Sequence, residues 1–371
     1  MNIDDSYYWI GLRLIPGLGD YLYKKLLAVF GSPEKVFSAS VSQIKGVEGI
    51  GEKAAKEIVS FSYHKKVVEE IAKIKEMGIS LITMNDEEYP DNLRHIYDPP
   101  PMLYMKGMLK DVDKRSVAIV GSRNASGYGK WIAGKISRGL GSKGFTVVSG
   151  MARGIDSSAH KGAIESGGRT IAVIGCGIDT IYPPENKMLM KEILRAGAVI
   201  SEFMIGTKPA SYNFPRRNRI ISGFSLGTLI VEASSRSGSL ITAKFALEQG
   251  RELFAIPGNI GAKNSMGTNS LIKNGAKLVD NEDDIIEELL PQLEDNLKFK
   301  KGGNLKEERN IPELSTDEEI IYNFLSLEPT HVDEVIIKSM MSSNRVSALL
   351  LDLELKGIIK RISGGMFIRE V

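Results

Sequence analysis

The chain has 371 residues, of which 42% are hydrophobic and 25% charged, with a formal net charge of +2. That length exceeds one ordinary core and fits two or three domains, and the composition excludes disorder throughout. A nearly neutral protein holds nucleic acid only by concentrating charge locally, so a general basic coat is excluded and a basic cluster is what to look for.

The single cysteine, Cys176, excludes an intrachain disulfide and a cysteine-rich zinc site. Residues 1–5 are acidic rather than basic and are not followed by an apolar core ending in small residues, so no leader peptide is expected, and no apolar run approaches membrane-span length. A cytoplasmic protein with no membrane partner is expected.

Residues 1–108 read as a mostly helical N-terminal domain. Twice an apolar residue alternates with glycine, at Ile15-Pro16-Gly17-Leu18-Gly19 and at Val47-Glu48-Gly49-Ile50-Gly51, each time ahead of a lysine-bearing amphipathic helix. This is helix-hairpin-helix, or SAM-like, spacing: the glycines allow a tight turn and bring backbone N–H groups to a phosphate at a helix N-terminus. The alternative is two plain connections in a small bundle. Two copies favour the fold without establishing contact with DNA.

From 109 to 290 the pattern changes to short β-branched runs at 117–120, 145–149, 170–174, 198–201, 228–231, 253–256 and 276–279. Helical segments such as 131–140 and 239–248 separate them. Buried strands with helical crossovers predict a Rossmann-like, doubly wound parallel sheet, so the fold class is α/β. Residues 291–312 carry both charge signs and few apolar side chains, and read as a charged linker.

Residues 313–371 resume with a helix from about 316, another after 330, and a third in which Val346, Leu349, Leu350 and Leu353 share a face. A hairpin, 358–362 and 366–368, turns at Gly364-Gly365. The pattern is winged-helix-like. The third helix has no basic surplus, which weighs toward a protein-contact or lid module over duplex binding.

Open α/β sheets bind ligands beyond the carboxyl ends of their strands. Those ends here are rich in glycine and serine and carry Arg123, Arg153 and Arg236, which suits a phosphate. Within 203–245 a second concentration, Lys208, Arg216, Arg217, Arg219, Arg236 and Lys244, stands against Glu232 alone. Tyr212 and Phe214 lie among these cations, the combination an unpaired strand uses when bases stack and the backbone follows the charge. For any single arginine, a structural role at the start of a helix is the better reading. A cluster at a ligand rim shifts that balance.

Other patterns fail on context. Gly127-Tyr128-Gly129-Lys130-Trp131 is no Walker A, because Asn124 replaces the first glycine and Trp131 cannot ligate magnesium. Gly175-Cys176-Gly177 lacks the third glycine of a dinucleotide fingerprint. Gly223-Phe224-Ser225-Leu226-Gly227 runs from helix into strand, the reverse of a nucleophile elbow. His160, near Asp156 and Ser158, reads as packing and capping. No catalytic residue, cofactor or metal is expected.

Five motifs carry a resemblance: Gly121-Ser122-Arg123; Ser149-Gly150-Met151-Ala152-Arg153-Gly154-Ile155-Asp156; Tyr182-Pro183; Phe214-Pro215-Arg216-Arg217-Asn218-Arg219; and Arg236-Ser237-Gly238-Ser239. With Ala255-Ile256-Pro257-Gly258, they closely resemble the DNA-processing protein A (DprA/Smf) family across nearly all of the α/β domain. The resemblance implies a homodimeric mediator of natural transformation and recombination. Such a protein binds single-stranded DNA, loads a RecA-type recombinase onto it, and is not an enzyme. It implies that Gly121, Ser122 and Arg123 hold a phosphate, and that Phe214, Arg217, Asn218 and Arg219 line the strand pocket. Arg153, Arg216, Ser237 and Gly238 are expected in the same single-strand site. Relatives often carry lysine three positions before the phenylalanine. Here that residue is Ser211, and Lys208 is the candidate substitute. Self-association and recombinase contact map to about 269–278, with Asn269, Leu271 and Leu278 as markers.

Two rivals stand beside this reading. Residues 223–232 are similar to the glycine-threonine-glutamate signature of lysine-decarboxylase-like nucleotide phosphoribohydrolases, which need a glutamate and an arginine, Glu232 with Arg216 or Arg217, on one ribose-phosphate. The other rival is a duplex-DNA regulator acting through 313–371.

Overall fold

The computed structural model describes residues 3–300, 314–326, 330–356, 358–362 and 365–369. It divides into two compact units, Met1–Leu297 and Lys298–Val371.

The first unit opens with helices α1 (Ile3–Arg13), α2 (Asp20–Phe30), α3 (Pro33–Phe37), α4 (Val41–Lys45), α5 (Glu52–Val59) and α6 (His64–Glu76). Both glycine motifs make the same turn. Gly17 and Gly49 take φ of +79° and +89°, which only glycine adopts without strain, and Gly19 and Gly51 then serve in extended backbone as the N-caps of α2 and α5. Leu18 and Ile50 between them are buried and pin each hairpin to the helical core.

Strands β1 (Ser80–Thr83) and β2 (Met102–Gly107) follow, with the short α7 (Asp91–Arg94) between them. Then come β3 (Ser116–Val120), α8 (Gly127–Ser142), β4 (Thr146–Ser149), α9 (Ile155–Glu165), β5 (Thr170–Val173), α10 (Lys187–Ala196) and β6 (Ala198–Ser201). The unit continues with α11 (Asn213–Phe224), β7 (Gly227–Ile230), α12 (Ser239–Glu248), β8 (Glu252–Ala255), α13 (Met266–Lys273), β9 (Lys277–Leu278) and α14 (Asp283–Lys300). The sheet order is β1-β2-β6-β5-β4-β3-β7-β8-β9. From β6 to β9 every pairing is parallel, as the alternation of strands and helices predicts, and the order reverses about β3.

Two expectations are corrected. The segment read as mostly helical contributes β1 and β2, which pair antiparallel with each other, and β2 pairs antiparallel with β6, so the sheet is mixed and starts before residue 109. The segment read as linker from 291 begins inside α14, which carries Pro291 and runs to Lys300. Residues 301–312 of that segment lie outside the described residues.

Period-2 alternation explains the layering. On β3, Val117 and Ile119 pack with α8, α9 and α14, whereas Ala118 and Val120 face the layer of α7, α11 and α12. Ala172 and Val199 join Met102 and Tyr104 in a third cluster with α10 and the N-terminal helices, so those helices share core with the sheet.

In the second unit, α15 (Thr316–Phe324), α16 (Val332–Ser339) and α17 (Ser343–Leu355) pack with a sheet of order β10-β12-β11, formed by β10 (Thr330–His331), β11 (Ile359–Ile362) and β12 (Met366–Arg369). Val346, Leu349, Leu350 and Leu353 are buried together there, as their spacing predicts. This is a winged-helix fold. Of the expected turn pair, Gly364 lies outside the described residues.

Candidate nucleic-acid interface

Three parallel strands end side by side and deliver short loops to one rim: β3 gives Gly121-Ser122-Arg123, β4 gives Gly150 to Gly154, and β5 gives Gly175 and Cys176. Helix α11 starts across them. Together they enclose a pocket of about 60 Å³ lined by Arg123, Gly150, Ala152, Arg153, Gly175, Cys176, Tyr182, Pro183, Phe214 and Arg217.

Phe214 is the centre of this pocket. The Arg123 guanidinium lies 4.8 Å from its ring centre, Arg217 lies 5.9 Å away, and the Tyr182 ring is 5.6 Å off at 32°. Glycines let the walls come close. A Cβ on Gly175 would stand 2.9 Å from the Phe214 ring, and one on Gly150 would strike the Arg217 guanidinium. Gly154 has a φ of +75° and backs onto the Ser122 carbonyl, which accepts the Ile155 N–H at 3.2 Å. The loop bearing Arg123 is therefore fixed from behind.

The two arginines differ in kind. Arg217 is buried, donates to the Gly150 carbonyl at 2.5 Å and to the Val173 carbonyl, and bonds the Asn218 side chain at 3.2 Å. Burial lowers its pKa to about 10, with Asp156 opposing, so it stays charged at neutral pH. It is a fixed positive floor. Arg123 is exposed and makes no ion pair among the described residues, so it is the cation free to meet a phosphate. Arg153, also exposed, pairs with Glu185. Burial pushes the Cys176 thiol up to about 11, which leaves it inert in the wall.

The remaining predicted residues divide. Asn218 reaches the Gly238 carbonyl at 3.4 Å, and the Ser237 hydroxyl pairs with that of Ser239 at 2.7 Å, so the 237–239 turn stands beside α11. Lys208 is exposed, and its carbonyl caps the Asn213 side chain at 3.3 Å. Tyr212 is exposed at the head of α11.

Arg219 corrects the expectation that it lines the pocket. It points the other way, buried, with Nη2 2.6 Å from Asp20 and 2.7 Å from Glu202, and Nε 2.9 Å from Asp98. Arg216 is half-exposed over the Phe203 ring and lies 3.6 Å from Asp20 and 3.8 Å from Glu202. The basic run is thus not opposed by Glu232 alone, because the fold brings three further carboxylates against it.

Glu232 is occupied elsewhere. Its carboxylate accepts the Ser126 N–H at 3.0 Å, the Ser126 hydroxyl and, at 3.4 Å, the Asn264 amide, while the Ser126 Oγ caps α8 through the Gly129 N–H. It holds the start of α8 and forms no ion pair with Arg216 or Arg217 among the described residues, so the arrangement a phosphoribohydrolase needs is not assembled. His160 and Asp156 likewise serve the fold. The Asp156 carboxylate accepts the Ala152 N–H at 3.3 Å, and His160 Nδ1 bonds the Thr170 hydroxyl at 2.7 Å.

Residues 80–290 match the profile of DNA recombination-mediator protein A, with the DprA winged helix domain matching 306–365 and a SAM-like helix-hairpin-helix tandem 11–61. The chain belongs to the DNA recombination-mediator protein A family. It is 37% identical to Protein Smf of Escherichia coli strain K12 over 97% of this chain and 95% of that protein. It is 33% identical to Protein Smf of Synechocystis over 98% of both. The X-ray structure of DNA processing protein A from Streptococcus pneumoniae superposes with a TM-score of 0.68 at 36% identity, covering 76% of this chain and 97% of that one. The Helicobacter pylori protein, described for its unique single-stranded DNA binding mode, superposes with a TM-score of 0.52 at 32% identity, covering 58% of this chain and 96% of that one.

Tyr182 belongs to the site although the sequence marks it only as part of a motif. The signal available is an aromatic residue beside a proline in the loop between β5 and α10, too common to choose by itself. Of the residues marked for self-association, Asn269 closes its own loop by bonding Gly258 twice, at 3.1 and 2.9 Å, and Leu271 packs against the core. Leu278 is exposed on β9, the edge strand of the sheet.

Proposed function

We propose that the chain is a single-stranded DNA-binding recombination mediator whose binding centre is the Phe214 pocket. The observation that carries this reading is the part-exposed Phe214 ring with the exposed Arg123 and the buried Arg217 both beside it and glycine backbone on the neighbouring loops. A base stacks on the ring while its phosphate meets Arg123 and the N–H groups of Gly121 and Ser122. Such a base contact contributes about 1–3 kcal/mol. A duplex hides the base faces that this ring needs. Family membership and the Helicobacter pylori relative support the same ligand.

In this reading Arg153, Lys208, Arg216, Asn218, Ser237 and Gly238 flank the strand. The protein acts in the cytoplasm as a homodimer through the β9 edge and passes coated DNA to a RecA-type recombinase during transformation or general recombination. It performs no chemical step of its own. The test is binding of a labelled oligonucleotide of about twenty nucleotides, as single strand and as duplex, to wild type and to Arg123→Ala over a salt series. Expected are a single-strand preference and, in the variant, weaker binding with a salt slope smaller by about 0.7 per lost phosphate contact. Equal duplex binding, or an unchanged variant, overturns the assignment.

A further inference from the structure

The loop that carries Arg123 runs directly into α8, and the outward stripe of that helix is unlike an ordinary solvated face. Tyr128 and Trp131, one turn apart, are 55% and 58% exposed, with ring centres 5.9 Å apart and planes at 38°. Lys135, a further turn on, sets its ammonium 5.6 Å from the Trp131 ring. Lys130 is exposed beside them. The helix contains Lys130, Lys135 and Arg138 and no acidic residue. Arg138 is matched by Glu165 on α9, but neither Lys130 nor Lys135 has an ion-pair partner among the described residues. Two large exposed rings with unneutralised cations at helical spacing serve no packing purpose, because the buried stripe of α8 is formed by Ile132, Ala133, Ile136 and Leu140.

We infer that this face of α8 is a second stacking segment of the strand path, taking nucleotides that leave the Phe214 pocket past Arg123. The inference rests on the pocket being the strand site. Three features select a nucleic-acid strand over a protein partner. The rings are flanked by cations, every charged side chain of α8 itself is basic, and Arg123, the exposed cation of the pocket, precedes Tyr128 by five residues in the loop that leads into the helix. From Tyr128 to Lys135 the helix advances about 10 Å. At a rise of about 3.4 Å per nucleotide, that is room for two or three bases.

The chain offers its own reporter. Of its two tryptophans, Trp9 is buried among the N-terminal helices and Trp131 lies on the stripe. Fluorescence of the full-length protein is titrated with oligothymidylates of about six and about twenty nucleotides, alongside an anisotropy measurement of binding. The longer strand is expected to quench the exposed component, and the shorter to bind without quenching it. Trp131→Phe should abolish the quench while keeping binding. Trp131→Ala with Lys135→Ala should weaken the longer strand roughly 5- to 150-fold and leave the shorter unchanged. Tight binding of the longer strand with no change in Trp131 emission, and equal affinity in the double variant, would overturn the inference while leaving the pocket intact. Failure of wild type to bind either length, or an unchanged Arg123→Ala variant, overturns the pocket itself.

Discussion

The Arg219 guanidinium lies 2.7 Å from the Glu202 carboxylate, and both side chains are almost wholly removed from solvent. Asp20, which starts α2 directly after the first glycine hairpin, comes to 2.6 Å of the same guanidinium and also pairs with Arg13. An arginine within the Phe214-to-Arg219 motif is therefore an internal tie between α11, the end of β6 and the N-terminal helices. Arg219→Ala takes the nearest cation from the buried Glu202 and one of the cations from the buried Asp20, and is expected to destabilise the protein by about 3–5 kcal/mol. Urea unfolding checks this. A variant that unfolds at the wild-type midpoint yet loses DNA would return Arg219 to the pocket.

Gly175 tests the pocket in the opposite sense. Its Cβ would stand 2.9 Å from the Phe214 ring, so Gly175→Ala must turn that ring or push it outward. Single-strand affinity should fall by about tenfold, the scale of one disturbed base stack, with little change in melting temperature. Unaltered affinity in a well-folded variant would show that bases do not use this ring.

His160 gives the protein a pH signature. It is fully buried on α9, and the Thr170 hydroxyl donates its hydrogen bond to the Val147 carbonyl at 2.8 Å, so in the bond between His160 and Thr170 it is His160 Nδ1 that donates. Burial, with the nearby Arg217 charge, lowers the His160 pKa to about 3. In the unfolded chain it titrates near 6.5, so on acidification the unfolded state takes up a proton that the folded state refuses. The contribution is fully present above about pH 6.5 and is lost progressively down to about pH 3, with a slope of up to about 1.4 kcal/mol per pH unit. His160→Asn should flatten that part of the stability profile. A profile as steep as wild type would mean the slope arises elsewhere.

The edge strand β9 bears on assembly. Leu278 is 46% exposed there and has no neighbouring strand on its outer side among the described residues. If this edge joins two copies, Leu278→Asp should raise the dimer dissociation constant at least tenfold in sedimentation velocity while leaving the monomer folded. An unmoved dimer directs attention away from β9.

Much of this architecture is legible in the sequence because it rests on local periodicity. Val117 to Val120 alternate between two buried layers, and the glycines that follow β3, β4 and β5 mark the rim in the sequence itself. What the sequence hides is long-range. Asp20 and Arg219 are 199 residues apart, and Asp98 and Arg219 are 121 apart, so nothing in the run from Arg216 to Arg219 tells which guanidinium faces the pocket and which faces an acid. Helical spacing is the available hint, since Phe214 and Arg217 lie three apart on one face and Arg216 and Arg219 on another. Strands β1 and β2 escape notice because each is short and antiparallel, lying among helices whose apolar residues are just as dense.

Cutting the chain at residue 80, where the match to the family core begins, would discard Asp20 along with the hairpin that positions it. Arg219 would then face only Glu202 and Asp98, and Arg216 would lose one of its two anchors. A fragment trimmed in that way would carry helix α11 on altered supports, so weak DNA binding by it would speak to its truncation before it spoke to the pocket.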